Sequence, residues 1–351
     1  MVGNYKITWG VGFMKLGQKE IRNFSDPYII AEIGANHNGD IKLAKKMIDS
    51  AQRAGCDCVK FQSWTKESLL AKCLYEGKPE LENEVELYST SEKDLSELAA
   101  YCKKIGIDFA SSVFSMSEVD FISDVIKVSF LKIASMDLNN YNFISHIANK
   151  GLPVMLSTGL ATLSEIDQAV HIIEKSGNKN IMILHCVANY PPEDCNVNLN
   201  NIDMLRDNYP DYPIGFSDHT IGVEIPLAAV AKGASVIEKH FTLDKEMPGW
   251  DHKVSATPDE MKAIFNGSKR VTEALGSYRR IVTIEDKEKI IAFRRSVVAA
   301  NDIGKGKVIE LSDLDVKRPG TGLEPQYIDM IVGRIAKRDI PYDKVIDMED
   351  F

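Results

Sequence analysis

Short apolar runs recur at an even spacing between Tyr28 and Thr242, and almost every run breaks off into polar, chemically usable residues. Eight of them read AEIG (Glu32), VKFQ (Lys60, Gln62), FASS (Ser111, Ser112), LKIAS (Lys132, Ser135), VMLSTG (Ser157, Thr158), LHCVANYP (His185, Tyr190), IGFSDHT (Ser217, Asp218, His219) and IEKHFT (Glu238, His240). Runs this short and this rich in Val, Ile, Leu and Phe fit parallel strands buried on both faces. Between them the pattern predicts helices over Asp40–Ala54, Ser91–Lys104, Ser164–Ser176 and Pro258–Gly276, with Asp40 as an N-cap. That alternation predicts an α/β fold, a TIM (β/α)8 barrel, with its chemistry at the C-terminal ends of the strands.

The barrel is expected over residues 26–280, after an extended or hairpin lead-in over 1–25. The longest loop, Ser63–Thr90, follows the second strand and is a candidate lid. A charged break around Arg279–Lys289 ends the rhythm, so 281–292 reads as a linker. Residues 293–351 show short β-like runs and Gly-containing turns, a small β-rich module that buries little core of its own.

Alternation within the strands then selects residues. If Val59 and Phe61 face the helices, Lys60 and Gln62 face the barrel interior. An inward charge is costly unless a protein carboxylate or an anionic ligand pairs with it. Lys132 has the same pattern, and the hydroxyls of Ser111, Ser112, Ser135, Ser157 and Ser217 flank both lysines. Point charges beside hydroxyls suit a phosphate and a carboxylate. His219 and His240 end neighbouring strands, about 5 Å apart, so two imidazoles can share one divalent metal with open coordination positions. Glu238 is placed to hold a metal-bound water or to orient an imidazole. Glu32 is either a catalytic carboxylate or the partner of an inward lysine. His185 and Cys186 are expected to line the core, and His37 sits on a polar turn. The loop MPGWDHK brings Asp251 near the mouth, and Arg318 stands on the turn KRPGTG.

Composition narrows the partners. The chain has 351 residues, a net charge of −9 and a charged fraction of 26%, which argues against nucleic acid and against anionic membranes. The first twenty residues hold no continuous apolar run of the kind a secretory signal carries, and no stretch has the length of a membrane span. Six scattered cysteines read as reduced thiols in a cytoplasmic protein; Cys56 and Cys58 are expected to be buried barrel thiols, with a metal pair as the alternative.

Taken together, AEIGANHNGD, VKFQ, LKIAS, LSTG, LHCVANYP, GFSDHT, VIEKHFTLD, PGWDHK and KRPGTG, in this order over nearly the whole chain, resemble the sialic acid (N-acetylneuraminate) synthase family, which includes legionaminate and pseudaminate synthases. The C-terminal module resembles the antifreeze-like SAF domain of those enzymes. The resemblance implies a C–C bond-forming transferase that condenses phosphoenolpyruvate with an N-acetylated hexosamine of the N-acetylmannosamine type. It implies a divalent metal on His219 and His240, Mn2+ first and Mg2+ or Co2+ as alternatives. It gives phosphoenolpyruvate to Lys60, Ser112, Lys132, Ser135, Ser157 and Ser217, and the open-chain sugar to Glu32, Gln62, Tyr190 and Asp251. It also implies a domain-swapped homodimer in which Arg318 reaches the partner's barrel. One segment departs from the pattern. Many members that use N-acetylmannosamine have Gly-Glu where this chain has Met136-Asp137, and the shorter Asp137 keeps a diacetamido-trideoxyhexose open as the sugar; the resemblance also extends to spore-coat-polysaccharide-type relatives, a further alternative. A hydrolytic or aldolase-like metal barrel and a carbohydrate-binding protein are the competing readings; neither explains two inward lysines beside a row of serines.

Overall fold

The computed structural model describes residues 13–351, so the first part of the expected 1–25 lead-in lies outside the described residues. The remainder of that lead-in is a hairpin of β1 (Phe13–Leu16) and β2 (Lys19–Arg22), paired antiparallel. Eight strands follow: β3 (Tyr28–Gly34), β4 (Cys58–Gln62), β5 (Asp108–Ser112), β6 (Leu131–Ile133), β7 (Val154–Ser157), β8 (Ile181–Cys186), β9 (Ile214–Asp218) and β10 (Val236–His240). They close into an all-parallel barrel in which β10 pairs with both β9 and β3.

The helices begin where the sequence supplies a cap. Asp40 accepts from the Lys42 N–H at the start of Ile41–Ala54, and Ser91 from the Asp94 N–H before Glu92–Ile105. Thr162 and Thr257 each form a reciprocal capping box, with Glu165 and Glu260, ahead of Leu163–Lys175 and Pro258–Leu275. Their apolar faces bury Met47, Ile48, Leu98, Ile166 and Ile264 against the outward residues of the strands, Ile29, Val59, Phe61, Phe109, Ile183 and Ile237 among them.

The inward residues divide by height. Near the N-terminal ends of the strands, Tyr28, Ile30, Cys58, Ala110, Phe130, Met155, Met182, Leu184 and Val236 pack with Met14, Leu16 and Ile21 of the hairpin. The hairpin therefore closes the end opposite the polar strand termini, and Lys19 anchors it through Asp57 at 2.9 Å and the Pro27 carbonyl at 2.7 Å. Among the described residues that end is filled, and the polar strand ends form the other. The Ser63–Thr90 loop is more ordered than a bare lid. It carries helices Lys66–Leu69, Lys72–Tyr75 and Pro79–Tyr88 around a cavity of about 630 Å3 lined by Leu70, Ala71, Tyr75 and Pro79. Among the described residues, no helix is long and apolar enough to cross a membrane.

The chain divides into two compact units at Gly276/Ser277. The second is built on β11 (Ser296–Ala299) and β12 (Leu314–Lys317), antiparallel, around a core of Val297, Ala299, Ile303, Ile309, Ile331, Ala336, Ile340 and Ile346. The 281–292 stretch, expected as a linker, is helical over Ile284–Phe293 and clusters with this unit. That helix has a reciprocal cap at Thr283 and no buried residue, which is why its apolar period was not visible.

Candidate active site

Lys60 and Lys132 meet Glu32 and Glu238 inside the barrel, just above its apolar base. Lys60 Nζ lies 2.6 Å from Glu32 Oε2 and donates to Ser112 Oγ at 2.8 Å. Lys132 Nζ donates to Ser157 Oγ at 2.7 Å and to the Ile133 carbonyl at 3.1 Å. Glu238 accepts from Ser217 Oγ at 2.8 Å and stands 3.7 Å from Lys60 and 3.8 Å from Lys132. All four charged side chains are almost wholly buried.

So deep a group of charges persists only if it is internally balanced. The balance is uneven. Burial alone would neutralise Lys60, yet Glu238 and Glu32 hold its pKa above the ordinary value. Burial wins at Lys132, whose pKa is lowered because its nearest carboxylate is 3.8 Å away. Burial likewise pushes Glu32 up, against the pull of Lys60. It would do the same at Glu238, but Lys132 and Lys60 overcome it and hold that carboxyl down. Glu32 is the close partner of Lys60 in this arrangement, which leaves its catalytic role open. Glu238 orients Ser217 and faces the lysines, and its charge also acts on both imidazoles.

His219 and His240 sit above this group with ring centroids 5.5 Å apart. Burial first, and then His240, lowers His219 to about 4; burial first, and then Lys60, lowers His240 to about 3, so both imidazoles are neutral near pH 7. The His219 Nδ1–H donates to the Val187 carbonyl at 2.7 Å, which leaves the Nε2 lone pair free. His240 Nδ1 is buried without a hydrogen-bond partner, 3.7 Å from Asp251 Oδ2. Two neutral imidazoles with spare lone pairs are a donor set that fits a divalent cation with open positions. Among the described residues, no group of three or more His, Cys, Asp or Glu forms a complete metal site.

Tyr190 stacks on His219 at 4.0 Å and meets His240 edge-on at 5.7 Å, with half its surface open to solvent. Gln62 donates to Glu32 Oε1 at 3.0 Å and accepts from Trp64 Nε1 at 2.9 Å. Trp64 stacks on Trp250, one residue before Asp251. Ser135 and Asp137 lie on the short turn Ser135–Asp137 after β6, and no hydrogen bond among the described residues ties either side chain to the lysines. Burial and the nearby Glu118 push Asp137 up to about 6, and its Oδ2 is buried without a partner. Arg318 belongs to the second unit, on an exposed turn, with its guanidinium 5.2 Å from the Phe293 ring centre.

One expectation changes, and the structure places the other residues as follows. Ser111 has the parity of Phe109, on the helix-facing side, and donates to the Ser112 carbonyl, so it does not flank the lysines. His185 also faces outward, where it bonds the Val197 carbonyl at 2.6 Å, while Cys186 faces inward, 4.0 Å from His219 Nδ1. His37 is held between Thr90 Oγ1 and the Gly39 N–H, a loop role. Cys56 packs in the outer core and Cys58 in the inner one, so they form no metal pair. All six thiols are free. Trp64 and Lys239 carry no clear mark in the sequence. The first follows a polar strand end by two residues, the second is hidden between two other ionisable residues.

The NeuB family model matches residues 47–280, and the SAF domain model matches residues 294–351. An uncharacterized protein of Methanocaldococcus jannaschii is 39% identical, covering 96% of this chain and 98% of its own. The N,N'-diacetyllegionaminic acid synthase of Campylobacter jejuni is 37% identical over 91% of this chain and 98% of its own. The crystal structure of N-acetylneuraminic acid synthetase from Leptospira borgpetersenii, in complex with citrate, superposes with a TM-score of 0.74 at 36% identity, over 80% of this chain and 95% of that one.

Proposed function

This chain belongs to the NeuB family of sialic and related nonulosonic acid synthases, and from that premise we propose that it condenses phosphoenolpyruvate with an N-acetylated hexosamine and water, releasing phosphate. The observation that carries this reading is the pair of buried lysines, each hydrogen-bonded to its own serine inside the barrel. Lys132 is the under-compensated cation, so an anion is the ligand that completes the group. Lys60, Lys132, Ser112 and Ser157 would grip the phosphate and carboxylate of phosphoenolpyruvate, with Ser217 held ready by Glu238.

The sugar lies above, toward the histidines. Tyr190 walls that space, and Gln62, fixed by Trp64, offers its amide beside Glu32. His219 and His240 would hold a divalent cation, Mn2+ in this reading, which when bound supplies Lewis-acid polarisation of the sugar's aldehyde oxygen. C3 of phosphoenolpyruvate forms the new bond to the aldehyde carbon, and positive charge develops at C2. Glu32, a carboxyl already pushed up by burial, stabilises that charge or takes the proton of the water that adds there. The C–O bond of the tetrahedral intermediate then breaks and phosphate leaves with its bridging oxygen.

Two sugar classes are in view. N-acetylmannosamine is the first; Asp137 in place of the longer glutamate, together with the likeness to the Campylobacter enzyme, favours a diacetamido-trideoxyhexose as the second. Purified protein incubated with phosphoenolpyruvate, Mn2+ and both sugars in turn decides between them by the product's mass. One sugar should turn over at least about tenfold better in kcat/KM, the order a single missing contact produces. Phosphate release with neither sugar accepted would overturn the assignment.

A further inference from the structure

We propose that Lys239 and Asp218, on the opposite face of the sheet from the site, are positioning residues that set His219 for its task; this rests on the metal-site reading above. The pair is among the most buried in the molecule, with side chains 1% and 0% exposed. Lys239 Nζ donates to Asp218 Oδ2 and to the Thr220 carbonyl, both at 2.6 Å. Asp218 Oδ1 accepts from the Thr220 N–H at 2.8 Å. Both residues are register partners on β9 and β10. One ion pair therefore fastens the residue before His219 and the residue after it, and ties both to the strand that carries His240. The ring itself is fixed separately, by the Val187 carbonyl.

Stability alone does not account for this arrangement. Two buried charges lose their hydration, and an apolar pair of similar volume usually serves the fold as well or better. An apolar pair would fill the space but could not hold the Thr220 N–H and carbonyl. What the charges add is a fixed backbone at a turn just past the end of β9, where His219 must project inward. Among the described residues, Lys239 and Asp218 make no hydrogen bond to the quartet of buried charges or to the imidazoles; their charges act on His240 and His219 through space, and their hold on the position of His219 passes through the backbone.

Two double variants test this. Lys239→Met with Asp218→Leu removes the clamp without orphaning a charge; Lys239→Gln with Asp218→Asn keeps a neutral hydrogen-bonding pair. Two readouts apply to each folded protein: calorimetric titration of metal-free protein with Mn2+, and 15N NMR of its histidines, which reports the His219 Nδ1–H tautomer without any metal. The Met/Leu protein should bind Mn2+ at least about tenfold more weakly and lose the single His219 tautomer. The Gln/Asn protein should stay within about threefold of wild type with the tautomer intact. A folded Met/Leu protein with wild-type affinity and tautomer would overturn the proposal. Should that variant not fold, a folded Gln/Asn protein that loses tenfold in affinity or its fixed tautomer would do so. If wild-type protein binds no Mn2+, the metal reading fails on its own, and the tautomer comparison still decides the clamp.

Discussion

Lys60 and Lys132 occupy equivalent places in their strands and differ in what surrounds them, and the difference predicts different mutants. Lys132 has a hydroxyl, a carbonyl and a distant carboxylate. Lys132→Ala should raise the KM for phosphoenolpyruvate about tenfold to a hundredfold, a loss of roughly 1.5–3 kcal/mol for a charge-assisted contact, and leave the sugar KM nearly unchanged. Lys60 is the close partner of Glu32. Lys60→Ala should do the same to phosphoenolpyruvate and also destabilise the fold by about 3–5 kcal/mol, because a buried carboxylate is left unpaired. Adding Glu32→Ala should recover much of that stability. Separate saturation curves and thermal melts check both; movement of the sugar KM alone would contradict the lysine roles. At this scale the sequence told which residues face inward, since VKFQ and LKIAS alternate cleanly. It could not tell which carboxylate each lysine pairs with: Glu32, on the strand next to Lys60, had two possible roles, and Glu238 comes from a strand remote along the chain. Nor could it separate Lys239 from its neighbours, since in IEKHFT three consecutive ionisable residues hide the alternation of faces.

Elements were legible wherever a pattern repeats. All eight barrel strands, and the helices capped by Asp40, Ser91, Thr162 and Thr257, follow from apolar period and cap residues. What failed was short or unsupported locally. The Ser135–Asp137 turn has no sequence mark, and the Ile284–Phe293 helix has charges on every side. The second unit, with its small core, depends on single polar centres. Asp350 is the clearest: its wholly buried carboxylate accepts from Arg338 Nε at 2.5 Å, from Lys344 and from the Asp347 N–H at 2.9 Å. Burial opposes that charge, but these donors prevail and hold the Asp350 carboxyl below the ordinary value. A depressed folded pKa gives stability that is fully present above the unfolded value of about 3.9 and is lost as pH falls through the folded value. Asp350→Asn should therefore cost the second unit about 2 kcal/mol near neutral pH and flatten its acid unfolding. Hydrogen exchange of residues 294–351 in the full chain measures this. Equal protection in mutant and wild type at pH 7 would contradict it.

For the whole molecule, the proposal is a homodimer in which Arg318 serves the partner's barrel. Glu32→Ala and Arg318→Ala homodimers should each be poorly active. In a mixed dimer one site carries both defects and the other carries neither, so random reassociation should restore about a quarter of wild-type activity, from the counting of a two-fold assembly. A mixture that stays at the level of its two parents would refute the exchange. The central claim, however, is the reaction. Phosphoenolpyruvate labelled with 18O in its bridging enol oxygen reports directly which bond breaks. With Mn2+ and an accepted sugar, the label should leave in the phosphate, product should form one to one with it, and no phosphate should be released without sugar. Label retained in the organic product, or phosphate released without sugar, would contradict a condensing synthase and return the barrel to hydrolytic chemistry.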